Sequence, residues 1–216
     1  MIDWHPIETV FLDMDGTLLD LHFDNYFWRD YLPRRFAKVN NLSLSKSEEF
    51  LFERFSQTQG TLEWYCLDFW SDELSLDIAA LKTEVQHLIQ YRPNAEVFLK
   101  KLNESDKQTI LVTNAHPKSL ALKLNKTNLE IYLDKIYSSH QFNIPKEKPL
   151  FWKSFQQALP FNPDKTILFD DSHAVLHSAK SFGIKQLRAI EKPDSKSDSA
   201  KPGDFIAVDD FQDIGL

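Results

Sequence analysis

Glycine is scarce. Five residues in 216 leave no room for a glycine-rich dinucleotide or Walker-type phosphate loop. A single cysteine, Cys66, excludes an internal disulfide and every multi-cysteine zinc motif. No apolar run approaches the ~18 residues of a membrane span. The amino terminus carries Asp3 and Glu8 and lacks a basic region, so it does not read as a signal peptide. The expected compartment is the cytoplasm. A basic excess is also missing: 25 Lys and Arg stand against 32 Asp and Glu, for a net charge of −7. A general nucleic-acid surface needs the opposite balance, so neither nucleic acid nor membrane is an expected partner.

The remaining composition is that of a globular chain able to bury a core without staples, with 42% apolar and 26% charged residues. Residues 8–13 (ETVFLD) read as a short buried strand. Similar runs occupy 109–112, 135–137 and 166–169, with weaker candidates at 186–190 and 205–208. Helical patterns fall between them, at 95–103, 117–126, 148–158 and 173–182. This alternation predicts an α/β fold with a mostly parallel, Rossmann-like sheet over 1–20 and 92–216. Residues 21–91 break the rhythm. Leu74, Ile78, Leu81 and Val85 follow a helical period, which predicts an inserted all-helical domain. Pro93 disfavours helix at Arg92 and makes Tyr91-Arg92-Pro93 the return linker. The polar stretch 191–204 reads as a mobile surface loop.

Chemistry-bearing residues gather at the expected strand ends, where open α/β sheets bind ligands. Asp13-Met14-Asp15-Gly16-Thr17 follows the first strand. Two carboxylates two residues apart in a tight turn face one cavity. Asp170-Asp171 ends another strand, although Asp171 or Ser172 can also cap the next helix. Converging carboxylates repel each other and call for a cation, and oxygen-only donors select Mg²⁺. Thr113-Asn114 ends a third strand, just before Pro117 opens a helix. A hydroxyl and unpaired N–H groups there suit a phosphate oxygen. Pro145-Lys146-Glu147-Lys148 brings a cation to a fourth loop. His173 and His177 share a helix face but lack a third ligand. Ser138-Ser139-His140 lacks the glycines of a nucleophile elbow.

In this order, the four loops resemble the motifs of haloacid-dehalogenase-like phosphotransferases. The stretches FLDMDGTLLDLHFDNYFW, LEWYCLDFW, LVTNAHP, PKE and LFDDS further resemble the bacterial 5′-nucleotidase branch that acts on GMP and IMP. The resemblance implies a Rossmann-like core with a helical cap at 21–91. It also implies a Mg²⁺-dependent phosphomonoesterase acting on purine nucleoside 5′-monophosphates. Asp13 then matches the nucleophile and Asp15 the acid/base. Thr113 and Asn114 lie at the substrate phosphate, and Lys146 at the third motif. The metal falls to Asp13, the Asp15 main chain, Asp171, and Asp170 directly or through water. Many members have Gly at the position of Asp170 and a further acid where Val175 stands, which makes Asp171 the safer ligand. A phosphatase or phosphomutase acting on sugar phosphates is the alternative. A dehalogenase has no use for Asp15, because a halide leaves without a proton. Specificity is expected from the insertion, which is rich in rings: Phe23, Tyr26, Phe27, Trp28, Tyr31, Trp64, Tyr65, Phe69 and Trp70. Asn25 and Arg29 are candidates to read a purine edge.

Overall fold

The computed structural model describes residues 2–197 and 203–215. Six strands form one parallel sheet: β1 (Thr9–Leu12), β2 (Gln108–Thr113), β3 (Lys135–Ser138), β4 (Thr166–Asp170), β5 (Gln186–Ile190) and β6 (Ile206–Val208). Their order is β3-β2-β1-β4-β5-β6. Thr9 stands opposite Gln108 on one side and Thr166 on the other.

Alternation along each strand divides the core into two layers. Val10 and Leu12 of β1, Leu111 of β2, and Ile167 and Phe169 of β4 face one side. Phe11, Ile110, Val112 and Leu168 face the other. Because both faces are covered, these strands read as unbroken apolar runs.

From Leu21 to Leu88, every regular element among the described residues is helical. These are α1 (His22–Tyr26), a π-helical turn (Phe27–Tyr31), α2 (Leu32–Asn40), α3 (Leu44–Thr58), α4 (Leu62–Tyr65), α5 (Leu67–Leu74), α6 (Ile78–Glu84) and a 3-10 turn (Gln86–Leu88). Then come α7 (Ala95–Asn103) and α8 (Pro117–Thr127), on the face of Val10. On the opposite face lie α9 (Pro149–Ala158) and α10 (His173–Phe182). Short polar side chains set several helix ends. Ser43, Asp77 and Ser172 cap α3, α6 and α10 by accepting the N–H three residues on. With so few glycines, asparagine takes the left-handed positions. Asn41, Asn94, Asn128 and Asn143 all sit at φ between 52° and 57°.

The insertion leaves and rejoins the sheet at one place. Asp20 N donates to Gln90 O and Arg92 N to Leu18 O, each at 2.9 Å, and Leu19 and Tyr91 form an antiparallel bridge. The Arg92 guanidinium, buried here, reaches the carbonyls of Thr17, Lys192 and Asp209 at 3.1–3.2 Å.

The loop expected to be mobile is tied down over 191–197. Leu21 N donates to Pro193 O, the Asn25 amide donates to Asp194 at 2.7 Å, and Ser195 N donates to Asp20 at 3.0 Å. Carboxylates that find amide donors hold a polar stretch against the insertion, so polarity alone misread it. Residues 198–202 of that expectation lie outside the described residues. No helix among the described residues is long and apolar enough to cross a membrane.

Candidate active site

The strand order reverses at β1, with β2 and β3 on one side and β4 to β6 on the other. A crevice at the carboxyl ends is the consequence. Asp13 leaves β1 there, its N–H held by Phe169 O at 3.0 Å. Gly16 turns the chain at φ +87°. A Cβ on Gly16 would stand 2.5 Å from Asp171 Oδ2, so the missing side chain is what lets Asp171 lie against the turn.

Lys146 joins the acids. Its Nζ donates to Asp13 Oδ1 at 2.6 Å, Asp170 Oδ2 at 2.7 Å and Val112 O at 2.8 Å, which uses all three N–H groups of an ammonium. Lys148, by contrast, is exposed. Burial alone would push the Lys146 ammonium down, but Asp13 and Asp170 hold it above its usual value. Carboxylate oxygens of Asp13, Asp170 and Asp171 lie within 4.8 Å of one another. Burial, then repulsion by Asp13 and Asp170, raises the Asp171 carboxyl well above the ordinary range. Asp170 already spends one oxygen on Lys146 and the other on the Ser172 N–H at 2.9 Å. Among the described residues Asp171 makes no such bond. Ser172, not Asp171, caps α10.

Thr113 and Asn114 end β2 and are buried. Thr113 Oγ1 accepts the Ala115 N–H at 3.0 Å, and His116 rather than either of them caps α8. Asn114 fixes the lysine loop. Its Oδ1 accepts the Lys146 N–H at 3.0 Å, and its Nδ2 donates to Glu147 at 2.9 Å. Tyr65 of the insertion donates to the other Glu147 oxygen. Asn114 thus links the insertion to the lysine.

Asp15 is paired outside the three-carboxylate group. Its Oδ1 meets Lys123 Nζ at 2.6 Å, and the same Nζ meets Asp24 Oδ2 at 2.6 Å. Asp24 Oδ1 then meets Lys82 Nζ at 2.5 Å. The result is a ladder of alternating charge, Asp15–Lys123–Asp24–Lys82, running from the β1 loop through α8 into α1 and α6. Burial raises the Asp15 carboxyl to about 6 against the pull of Lys123, and burial likewise raises Asp13 to about 6 against Lys146. Burial opposes the Asp24 charge too, yet Lys123 and Lys82 outweigh it and hold Asp24 at about 2.

Sequence reading missed Lys123, Asp24, Lys82 and Glu147. A signal existed for Lys82. Ile78, Leu81 and Val85 set an apolar stripe, and position 82 falls inside it. Lys123 likewise lies among Leu120, Leu122 and Leu124.

A cavity of about 620 Å³ opens over these groups, within the range of small-ligand sites. Asp13, Asp15, Lys146, Asp170 and Asp171 line it, and so do Trp28, Arg29, Phe55 and Trp64 of the insertion. The π turn carries both Trp28 and Arg29, and such wide turns concentrate at functional sites. Phe23, Phe27 and Trp70 are core residues instead. Asn25 lines the cavity, and one N–H of its amide donates to Asp194, which leaves its other N–H and its Oδ1.

Paired carboxylates, a buried lysine and a three-carboxylate cluster thus meet at the switch point of a parallel sheet. The sequence pattern of haloacid dehalogenase-like hydrolases matches residues 7–183. The chain belongs to that family and is an enzyme of it. It is 43% identical over 194 residues to the GMP/IMP nucleotidase YrfG of Escherichia coli strain K12, covering 90% of this chain and 87% of the relative. Among solved structures it resembles a HAD phosphatase from Thermococcus onnurineus, with a TM-score of 0.78, 20% identity and 95% of each chain covered. It also resembles the HAD-hydrolase YfnB of Bacillus subtilis, described as bound to magnesium. That match has a TM-score of 0.63 and 17% identity, and covers 95% of this chain and 96% of YfnB.

Proposed function

We propose that the protein is a Mg²⁺-dependent 5′-nucleotidase that hydrolyses purine nucleoside monophosphates, GMP and IMP foremost, through an aspartyl-phosphate. The observation that carries the reading is the lining of one cavity, which brings acids and a lysine suited to a phosphate together with aromatic rings suited to a base. The 43% identity to a GMP/IMP nucleotidase supports the substrate class. Residues 21–91 act as a cap domain over a core formed by 1–20 and 92–216. The lone thiol suits the reducing cytoplasm, where we place the enzyme.

The Asp13 carboxylate attacks phosphorus and forms a P–O bond, and the bond to the ribose O5′ breaks. Asp15 gives its proton to O5′, and the nucleoside leaves. Water then attacks the same phosphorus, Asp15 takes its proton, and the bond to Asp13 breaks to release phosphate. A carboxyl near pH 6 is matched to both transfers at neutral pH. Lys146 and the Thr113 hydroxyl offset charge on the equatorial oxygens, and Asn114 keeps Lys146 in place. Net charge does not oppose anion binding, because the local field decides.

The donor set fits Mg²⁺. Three carboxylates of hard oxygen converge, and the Gly16 turn leaves room beside Asp171. Asp13 and Asp171, with the Asp15 main-chain carbonyl, would hold it, and Asp170 would contribute directly or through water. When bound, the ion neutralises phosphoryl charge. Gly16→Ala forces a methyl into Asp171 at a left-handed φ. The concentration of Mg²⁺ needed for half-maximal activity is expected to rise by roughly 10–100-fold, with an unchanged circular dichroism spectrum. An unaltered Mg²⁺ response would remove Asp171 from the metal site.

The test of the whole reading is phosphate release across nucleoside monophosphates and sugar phosphates, with Mg²⁺ and after chelation. GMP and IMP present a 6-oxo acceptor and an N1–H donor, whereas AMP reverses both. Exposed Arg29, whose guanidinium carries only donors, suits the oxo edge. A kcat/KM for GMP and IMP at least about 10²-fold above that for AMP is expected. Equal rates on sugar phosphates would overturn the nucleotide assignment.

A further inference from the structure

Cys66 joins α4 to α5 in the insertion and caps α5. It faces two histidines from the sheet side. His116 caps α8 after β2, and His140 lies in the 3-10 turn Ser139–Gln141 that follows β3. The Cys66 Sγ and one nitrogen of each ring all lie within 4.8 Å of one another, and the two rings meet edge to face at 5.0 Å.

The polar atoms around this cluster are arranged for a ligand. His140 Nε2 is buried without a hydrogen-bond partner among the described residues. Leaving a buried polar atom unpaired is costly, so such an atom asks for a cause. His116 Nδ1 accepts the Lys118 N–H at 3.3 Å, so the neutral ring carries its proton on Nε2, and ligation through Nε2 moves that proton to Nδ1 at the cost of this capping bond. Cys66 Sγ accepts the Phe69 N–H at 3.4 Å. Asp68 Oδ2 lies 3.6 Å from His116 Nε2, and Lys118 occupies the other Asp68 oxygen at 2.6 Å.

We propose that Cys66, His116 and His140 bind a thiophilic divalent ion, with Zn²⁺ the natural fit and Asp68 Oδ2 completing a tetrahedron. Binding forms one metal–sulfur, two metal–nitrogen and one metal–oxygen bond, and the Cys66 thiol releases one proton to solvent. With bonds of about 2.0–2.3 Å, ligand atoms in such a centre stand a little under 4 Å apart, so small side-chain rotations close the site. Thiolate and carboxylate together match the double charge of the ion. The soft donor separates this site from the all-oxygen cluster at Asp171. Burial, with His116 beside it, holds His140 at about 4, and burial keeps His116 below its usual value. Both rings therefore offer lone pairs at neutral pH. A filled site staples α4 and α5 to the loops after β2 and β3, beside the cavity mouth.

The test titrates the full-length protein with Co²⁺ in millimolar Mg²⁺, which occupies oxygen sites but leaves the sulfur. The expected result is one equivalent of Co²⁺ with a thiolate charge-transfer band and the strong visible bands of a tetrahedral ion. One equivalent of Zn²⁺ should displace it. Cys66→Ser should abolish the charge-transfer band, and His140→Gln should weaken Zn²⁺ binding at least tenfold against a chromophoric chelator. Both variants are checked for an unchanged metal-free melting temperature. The wild-type spectrum needs no variant to fold, and it reads the metal site whether or not the nucleotidase assignment holds. Absence of the thiolate band in the wild type, or Zn²⁺ affinity untouched by both substitutions, overturns the proposal.

Discussion

Asp13→Asn is expected to lose turnover by about 10⁴-fold or more while keeping the fold. The amide has the shape of the carboxylate but is a far poorer nucleophile toward phosphorus. Folding survives because Lys146 keeps Asp170 at 2.7 Å and Val112 O at 2.8 Å, so its buried charge is not stranded. Phosphate release and the thermal melt are measured on one preparation. Residual release near the wild-type rate would refute covalent catalysis at Asp13. Asp15→Asn is expected to slow both formation and breakdown of the aspartyl-phosphate, since one carboxyl serves both proton transfers.

Asp24→Asn is expected to have the largest effect on stability. Asp24 balances two ammonium groups, those of Lys82 and Lys123, each 1% exposed. Removing its charge leaves Lys82 without a carboxylate and Lys123 with Asp15 alone. Breaking a buried pair in this way costs about 3–5 kcal/mol. For a chain of this length that corresponds to a fall in melting temperature of roughly 6–20 °C. The acid dependence has a definite sign. The Asp24 carboxyl is held at about 2, below its unfolded value. Its contribution is therefore complete above pH ~4 and is lost as pH falls through about 2. The gap between wild type and variant should close over that window, as read by denaturant melts at stepped pH. A gap that stays constant with pH would mean that Asp24 does not carry its charge in the folded protein.

The parallel sheet was legible because burial on both faces leaves an unmistakable trace. The runs at 109–112 and 166–169 each lie within a strand of the structure, and the helices predicted at 95–103 and 173–182 have the observed bounds. The acid-and-lysine lining of the cavity was legible for a related reason. Strand ends are visible in sequence, and Asp13, Thr113, Lys146 and Asp170 follow them or lie in the loops between. The charge ladder was not legible, because it joins residues 15, 24, 82 and 123 across four elements, and pairing between helices leaves no local period. The loop 191–197 was misread because its partners, Asn25 and Asp20, are far away in the chain. Composition reports polarity but not the donors that satisfy it.

The crossing at Leu19 and Tyr91 bears on how such enzymes diversify. Because both ends of the detour meet at one point, its length never enters the alignment of the strands. A lineage can lengthen, shorten or replace the whole helical module and so change which molecules it accepts. The strand-end carboxylates Asp13 and Asp170 lie outside that detour and need not move with it.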